Sequence, residues 1–199
     1  QLWSLEQARG TVWAGTLPGG LFRSEDFGRS WSLVESLWNR PERLEWFGGG
    51  YPVPGIHSIC PHPTRAGEML LGISCGGAWK TLDDGATWSI SAQGMRANFM
   101  PPEMADNQNI QDPHRIVRCA DAPDTFWCQH HGGIWHSADN AASWQEVQGA
   151  PVSNFGFAVA VHSYDPDTAW FVPAEADQRR VPVGAAMAVN RTRDGGRSF

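Results

Sequence analysis

The stretch SEDFGRSW at 24–31 occurs four times in related form. TLDDGATW follows at 81–88, SADNAASW at 137–144 and TRDGGRSF at 192–199. The starts Ser24, Thr81, Ser137 and Thr192 lie 57, 56 and 55 residues apart. Each copy reads Ser/Thr, any, Asp, any, Gly/Ala, any, Ser/Thr, aromatic. A signal at nearly constant spacing describes an array of like units, each of which must bury its apolar face against a neighbour.

The residues between the turns divide in the same way. In 56–92 the runs IHSICPH, EMLLGIS, AWKTL and TWSIS are separated by Gly, Pro and Asp punctuation. Short runs bounded by such residues predict four antiparallel strands. HRIVRC, TFWCQHH, GIWHS and SWQEV repeat the scheme, and FAVAVHS, TAWFVPA and MAVNRT repeat it with an insertion. VWAGT, GLFRS and SWSLV supply a first unit that lacks a clear opening strand unless QLWSL provides it. The expected fold is all-β: a partial propeller of about four antiparallel four-stranded blades, approximately 1–38, 56–92, 113–148 and 155–199, with the Asp turns between strands three and four.

Matching positions carry matching residue types. Trp13, Leu70, Trp127 and Trp170 align in the second strand, Phe22, Trp79 and Trp135 in the third, where Asn190 departs, and Trp31, Trp88, Trp144 and Phe199 follow the turn. Repetition marks these aromatics as packing between sheets. Asp26, Asp83, Asp139 and Asp194 can accept N–H bonds across their turns. Gly28, Gly85 and Gly196 take a positive φ at no steric cost. Ala141 does not, so the third turn is expected to be the least regular, with Asn140 taking the left-handed position.

Four-stranded units with this turn resemble the Asp-box, or BNR-repeat, β-propellers, of which sialidases are members. GTLPGGLFRSEDFGRSW, IHSICPHP, QHHGGIWHSADNAASW and NFGFAVAVHSYDPDT are most similar to bacterial BNR-repeat, glycosyl-hydrolase-like proteins. Those are mostly larger, complete rings, so the chain is expected to be a fragment whose open blade edges favour self-association. The resemblance also implies that the Asp turns mark one rim and that ligands bind at the opposite face.

Other properties bound the partners. A formal charge of −6, with a single lysine, argues against nucleic acid. No apolar run reaches membrane-spanning length. Cys60, Cys75, Cys119 and Cys128 form no CxxC and are expected as buried thiols, which favours the cytoplasm over an oxidising compartment. The chain begins at Gln1 without a signal-peptide pattern, so its native start is expected upstream and its compartment stays open.

On the face opposite the Asp turns lie the long segments 35–55 and 92–113 and the connections from strand two to strand three. They supply the candidate ligand-binding residues Trp46, Tyr51, His57, His114, His130, His131, Arg179 and Arg180. Asp106, Asp112 and Glu175 are the candidate catalytic carboxylates, with Glu103 and Asp177 beside them. Three readings compete. A glycoside hydrolase needs two carboxylates about a sugar. True sialidase chemistry is disfavoured, because Tyr51 is the one tyrosine on that face and Arg115 in HRIV lacks the proline of the sialidase Arg-Ile-Pro motif. A non-catalytic scaffold would bind a glycan or a protein. A metal site would use His57, His114 and His130, although no cofactor is required by the sequence.

Overall fold

The turn residues divide the chain into fifteen strands, and the computed structural model describes all of residues 1–199. The first sheet holds β1 (Leu2–Ala8), β2 (Thr11–Thr16), β3 (Leu21–Ser24) and β4 (Ser32–Leu33). The second holds β5 (Ile56–Pro61), β6 (Met69–Ile73), β7 (Gly77–Thr81) and β8 (Ser89–Ile90). β9 (Pro113–Arg118), β10 (Phe126–His130), β11 (Gly133–Ser137) and β12 (Gln145–Val147) form the third. The last has three strands: β13 (Gly156–Val161), β14 (Ala169–Pro173) and β15 (Asn190–Thr192). All pairings are antiparallel between strands consecutive in sequence. The opening run does supply the first strand, as β1. The first strands of successive sheets lie against one another, β1 on β5, β5 on β9 and β9 on β13, so the sheets fan about a common inner edge.

Alternation along a strand sends neighbouring residues to opposite faces, and in the middle sheets both faces are covered. All five residues of β6 are therefore buried. Met69, Leu71 and Ile73 join Trp13, Leu21 and Val34 of the first sheet, while Leu70 faces Phe126, Cys128 and Trp144 of the third. Trp127 and Ile134 meet Phe171 and Val159 in a third cluster.

The aromatics expected between sheets divide accordingly. Trp88 and Trp144 are buried, but Trp31 stays 41% exposed, because no sheet of the chain covers the outer face of the first one. Trp170 is only half-buried on the outer face of the fourth sheet for the same reason. Asn190, the exception in strand three, is buried and donates from Nδ2 to the carbonyl of Pro151 at 2.7 Å. All four cysteines are buried free thiols.

The Asp turns are hydrogen-bonded clasps. Asp26 accepts the Ser30 amide at 2.9 Å and the Ser30 hydroxyl at 2.7 Å, while the Ser24 hydroxyl donates to Asp26 and accepts the Gly28 amide at 2.8 Å. Asp83, Asp139 and Asp194 repeat this arrangement. Each turn needs two successive positive φ values: Phe27 and Gly28, Asp84 and Gly85, Asn140 and Ala141, Gly195 and Gly196. The third turn corrects the expectation in one respect only. Asn140 takes the left-handed position at φ +60°, and this clasp is the loosest of the four, its Ala141 amide 3.0 Å from Ser137 Oγ against 2.8–2.9 Å in the others, but Ala141 itself also adopts φ +59°. The reason is packing, since the Ala141 methyl is fully buried among Phe126, Trp135 and Trp144.

The long segments carry local structure of their own. Residues 35–55 contain a helical turn at Glu35–Trp38 and a 3-10 turn at Pro41–Glu45. Residues 92–113 contain a 3-10 turn at Gln108–Ile110, capped where the Asn107 side chain accepts the Asn109 amide at 3.0 Å. Asn109 ties the two segments together, donating to the Glu42 carbonyl at 2.8 Å and to Glu45 at 2.9 Å.

Candidate functional site

Each first strand breaks its pairing register at its second residue. The shifts fall between Leu2 and Ser4, between Ile56 and Ser58, opposite the His130/Gln129 step of β10, and between Gly156 and Ala158. The residues set out of register are Trp3, His57, His114 and Phe157. A bulge re-aims a side chain that regular pleating would send to a sheet face. All four line one cavity of about 250 Å³, together with Tyr51, Ser74, Asp112 and Arg180. The cavity lies at the rim opposite the Asp turns. Those turns bond to the hairpins between first and second strands, through Asp84 N–H to the Gly67 carbonyl at 2.9 Å and Asn140 N–H to the Asp124 carbonyl at 2.8 Å.

Asp112 sits at the base of this arrangement with its side chain 1% exposed. Its Oδ1 accepts the Cys75 amide at 3.1 Å and the Ser74 hydroxyl at 3.3 Å. Its Oδ2 faces Nε2 of His114 at 3.6 Å and Nδ1 of His131 at 3.4 Å. Burial alone would push this carboxyl up; the two imidazoles outweigh it and hold Asp112 well below the usual carboxylate range. His114 approaches the Gly156 carbonyl with Nδ1 at 2.6 Å. A carbonyl only accepts, so Nδ1 carries a proton and Nε2 is the nitrogen turned to Asp112. His131 is held between Phe99 and Phe155, and its buried Nδ1 has no hydrogen-bond partner.

The other two histidines differ. His57 lines the cavity and bonds Ser58 Oγ through Nδ1 at 2.9 Å, leaving Nε2 buried without a partner. Burial lowers its pKa to about 4, against the opposing pull of Asp112. His130 is fully buried, and the amides of Asp112 and Gly132 approach its two ring nitrogens at 3.0 and 2.9 Å. A neutral imidazole accepts at only one nitrogen, so one approach is a contact rather than a bond. With both nitrogens turned to backbone, His130 supports the loop after β10 and offers nothing to a ligand or metal, which corrects its place among the candidates.

Three consecutive glycines close one side. A Cβ at Gly48 would lie 1.5 Å from the Tyr51 carbonyl oxygen, one at Gly49 2.7 Å from Asp112 Oδ2, and one at Gly50 2.7 Å from an Arg180 nitrogen. The segment between the first two sheets can therefore lie on Asp112 and reach Arg180 of the fourth sheet's insertion. Arg180 pairs with Asp177 and holds its guanidinium 5.4 Å from the centre of Phe157.

Of the remaining candidates, Trp46 is buried in the core, edge-on to Trp79 and donating to Asn109 at 2.8 Å, so it belongs to the join between the long segments. Asp106 is exposed and paired with Arg96 at 2.7 Å, outside the cavity. Glu175 pairs with Arg179 at 3.1 Å, and neither lines the cavity. Glu103 is exposed. Trp3, Phe157 and Ser74 escaped the sequence reading. The equivalence of His57 and His114 held the signal for the first two, since Trp3 and Phe157 fill the same place in the outer blades.

No protein-family profile matches the chain, and no curated protein matches it either. Solved structures do. The GH74 xyloglucanase of Xanthomonas campestris aligns over 94% of this chain with a TM-score of 0.67 at 18% identity. A GH74 enzyme of Niastella koreensis aligns over 95% with a TM-score of 0.64, also at 18% identity. The extracellular domain assigned to a one-component system of B. thetaiotaomicron aligns over 96% with a TM-score of 0.59 at 9% identity. These likenesses establish a β-propeller fold of the kind found in glycoside hydrolases. The chain spans 27%, 27% and 21% of those three chains respectively.

Proposed function

We propose that these residues form part of the ligand-binding face of a glycoside-hydrolase-like propeller and take a glycan in the cavity above Asp112. The carrying observation is the convergence of Trp3, Phe157 and Tyr51, each between 41% and 47% exposed, on a cavity that also presents Arg180 and Ser74. Flat exposed rings match the apolar faces of a sugar, and a few polar groups fix its orientation. The fold shared with a xyloglucanase makes β-glucan oligosaccharides the first class to test. A hydrolytic pair needs a second carboxylate. Asp112 is the one carboxylate lining this cavity, and it is nearly inaccessible, so binding is the activity these residues themselves supply.

Calorimetric titration with xyloglucan and other β-glucan oligosaccharides tests the reading. Trp3→Ala and Phe157→Ala should each weaken binding about tenfold, the worth of one stacked ring. Binding that survives both substitutions unchanged, or no binding to any saccharide, would overturn it. A fluorogenic glycoside panel separates binding from turnover.

A further inference from the structure

We propose that Asp112, His114 and His131 form a binding site for a divalent transition-metal ion, best matched to Zn²⁺. One donor atom from each lies within 4.8 Å of the other two. Two of these separations, 3.6 Å from Asp112 Oδ2 to His114 Nε2 and 3.4 Å to His131 Nδ1, have the right size. Ligands about 2.0–2.1 Å from a tetrahedral ion stand about 3.3–3.4 Å from one another. The same separations are long for N–H···O bonds. The two edges that meet at Asp112 Oδ2 thus have the lengths of a coordination polyhedron, and the third, between the imidazoles, is within 4.8 Å.

Three independent features support the assignment. The His114 ring is turned and fixed in its tautomer by the Gly156 carbonyl, the second-sphere bond that metal-bound histidines usually make. His131 Nδ1 is buried with no hydrogen-bond partner, which a ligand bond would correct. Asp112 is anchored through Oδ1 by the Cys75 amide, leaving Oδ2 toward the imidazoles. Two imidazoles and a carboxylate are a donor set suited to zinc and its neighbours rather than to calcium or magnesium. Three protein donors leave a further position for water or for an oxygen of whatever occupies the cavity. The site differs from the His57, His114 and His130 set expected from sequence: His57 comes within 4.0 Å of no carboxylate oxygen, and His130 has both nitrogens turned to backbone amides.

The assignment is independent of the saccharide reading and is tested without one. The chain, prepared without a polyhistidine tag and stripped with chelator, is titrated with Zn²⁺ by calorimetry and with Co²⁺ by visible absorption. The expected result is one equivalent of Zn²⁺, intense ligand-field bands from a four- or five-coordinate Co²⁺, and a raised melting temperature. His131→Gln, at the most exposed of the three side chains, should weaken binding beyond the roughly 10–100-fold that loss of a mere supporting residue costs, and Asp112→Asn should do likewise. His57→Phe should leave metal affinity unchanged. Melting of each metal-free variant shows whether it is folded. Absence of stoichiometric binding, retention of affinity in a folded His131→Gln, or equal loss in His57→Phe would overturn the assignment.

Discussion

His57 and His114 occupy the same bulge in successive blades, yet only His114 turns its Nε2 to Asp112, at 3.6 Å. The difference follows from what lies beside each ring. His114 meets the Gly156 carbonyl of the next blade, whereas His57 meets its own neighbour's hydroxyl, Ser58 Oγ. One imidazole is thereby aimed at a carboxylate, and the other is buried away from water.

That setting makes acid stability depend on His57. Its pKa is lowered from 6.5 to about 4 by burial, so between those values the unfolded chain binds a proton that the folded chain does not. The contribution is intact above pH 6.5 and is lost as pH falls toward 4, to a limit of about 3 kcal/mol. His130, lowered to about 3, extends the loss further into acid. Denaturant midpoints measured from pH 7 to pH 4 should fall steadily. His57→Phe, which copies the residue type of Phe157 at the equivalent place, should shallow the slope. A slope unchanged by that substitution would remove His57 as its cause.

Architecture was legible because it repeats. The clasp residues and the paired strands follow from four copies of one pattern. What failed to repeat was harder to read. Trp46 and Asp112 both lie in long Gly/Pro-rich segments, yet one became core and the other the base of the site, a division set by contacts with Asn109 and with His114 and His131. His130 and His131 are adjacent, and a strand end turns one inward and the other toward Asp112. Trp3 and Phe157 were hidden by their chemistry, since an aromatic among eleven tryptophans and nine phenylalanines reads as packing until its register is known.

Gly49 is the glycine beside the cavity whose Cβ would press on Asp112 itself. A methyl there would stand 2.7 Å from Asp112 Oδ2, 2.9 Å from Cys75 Sγ and 3.0 Å from Ser74 Oγ. None of these can retreat easily, because Cys75 and Asp112 are buried. Gly49→Ala should therefore displace the 48–51 segment and cost about 1–3 kcal/mol of stability, the usual toll of overpacking. Saccharide affinity should fall with it, as Tyr51 moves. Chemical denaturation and calorimetry on the variant read both effects, and an unperturbed variant would show that the segment does not rest on Asp112.

All four thiols should be unreactive in the native protein. Burial raises Cys60 to about 12 and pushes Cys128 and Cys75 above their ordinary value, which removes the thiolate that an electrophile needs. Cys119 is fully buried as well. Titration with a disulfide reagent should find no fast thiol in buffer and four in denaturant. A fast-reacting equivalent under native conditions would mean that one of the inter-sheet clusters opens.

The clasp turns permit a sharper test, because two of them hold opposite solutions to the same backbone demand. Ala141 adopts φ +59°, a conformation costing roughly 1–2 kcal/mol in an L-residue, but its methyl is wholly buried in the cluster of Phe126, Trp135 and Trp144. Ala141→Gly relieves the strain, loses about 1 kcal/mol of methyl burial and adds about 0.4–1 kcal/mol of unfolded-state entropy. These terms nearly cancel, so stability should change by less than about 0.5 kcal/mol. At Gly196, φ is +89° and a methyl would approach Val147 to 2.5 Å. Gly196→Ala therefore adds strain and a clash together and should cost about 2 kcal/mol or more. Denaturant midpoints of the two variants, measured side by side, decide whether the third turn is held by its methyl. A marked gain in Ala141→Gly would show that the strain is uncompensated and that the buried methyl contributes little.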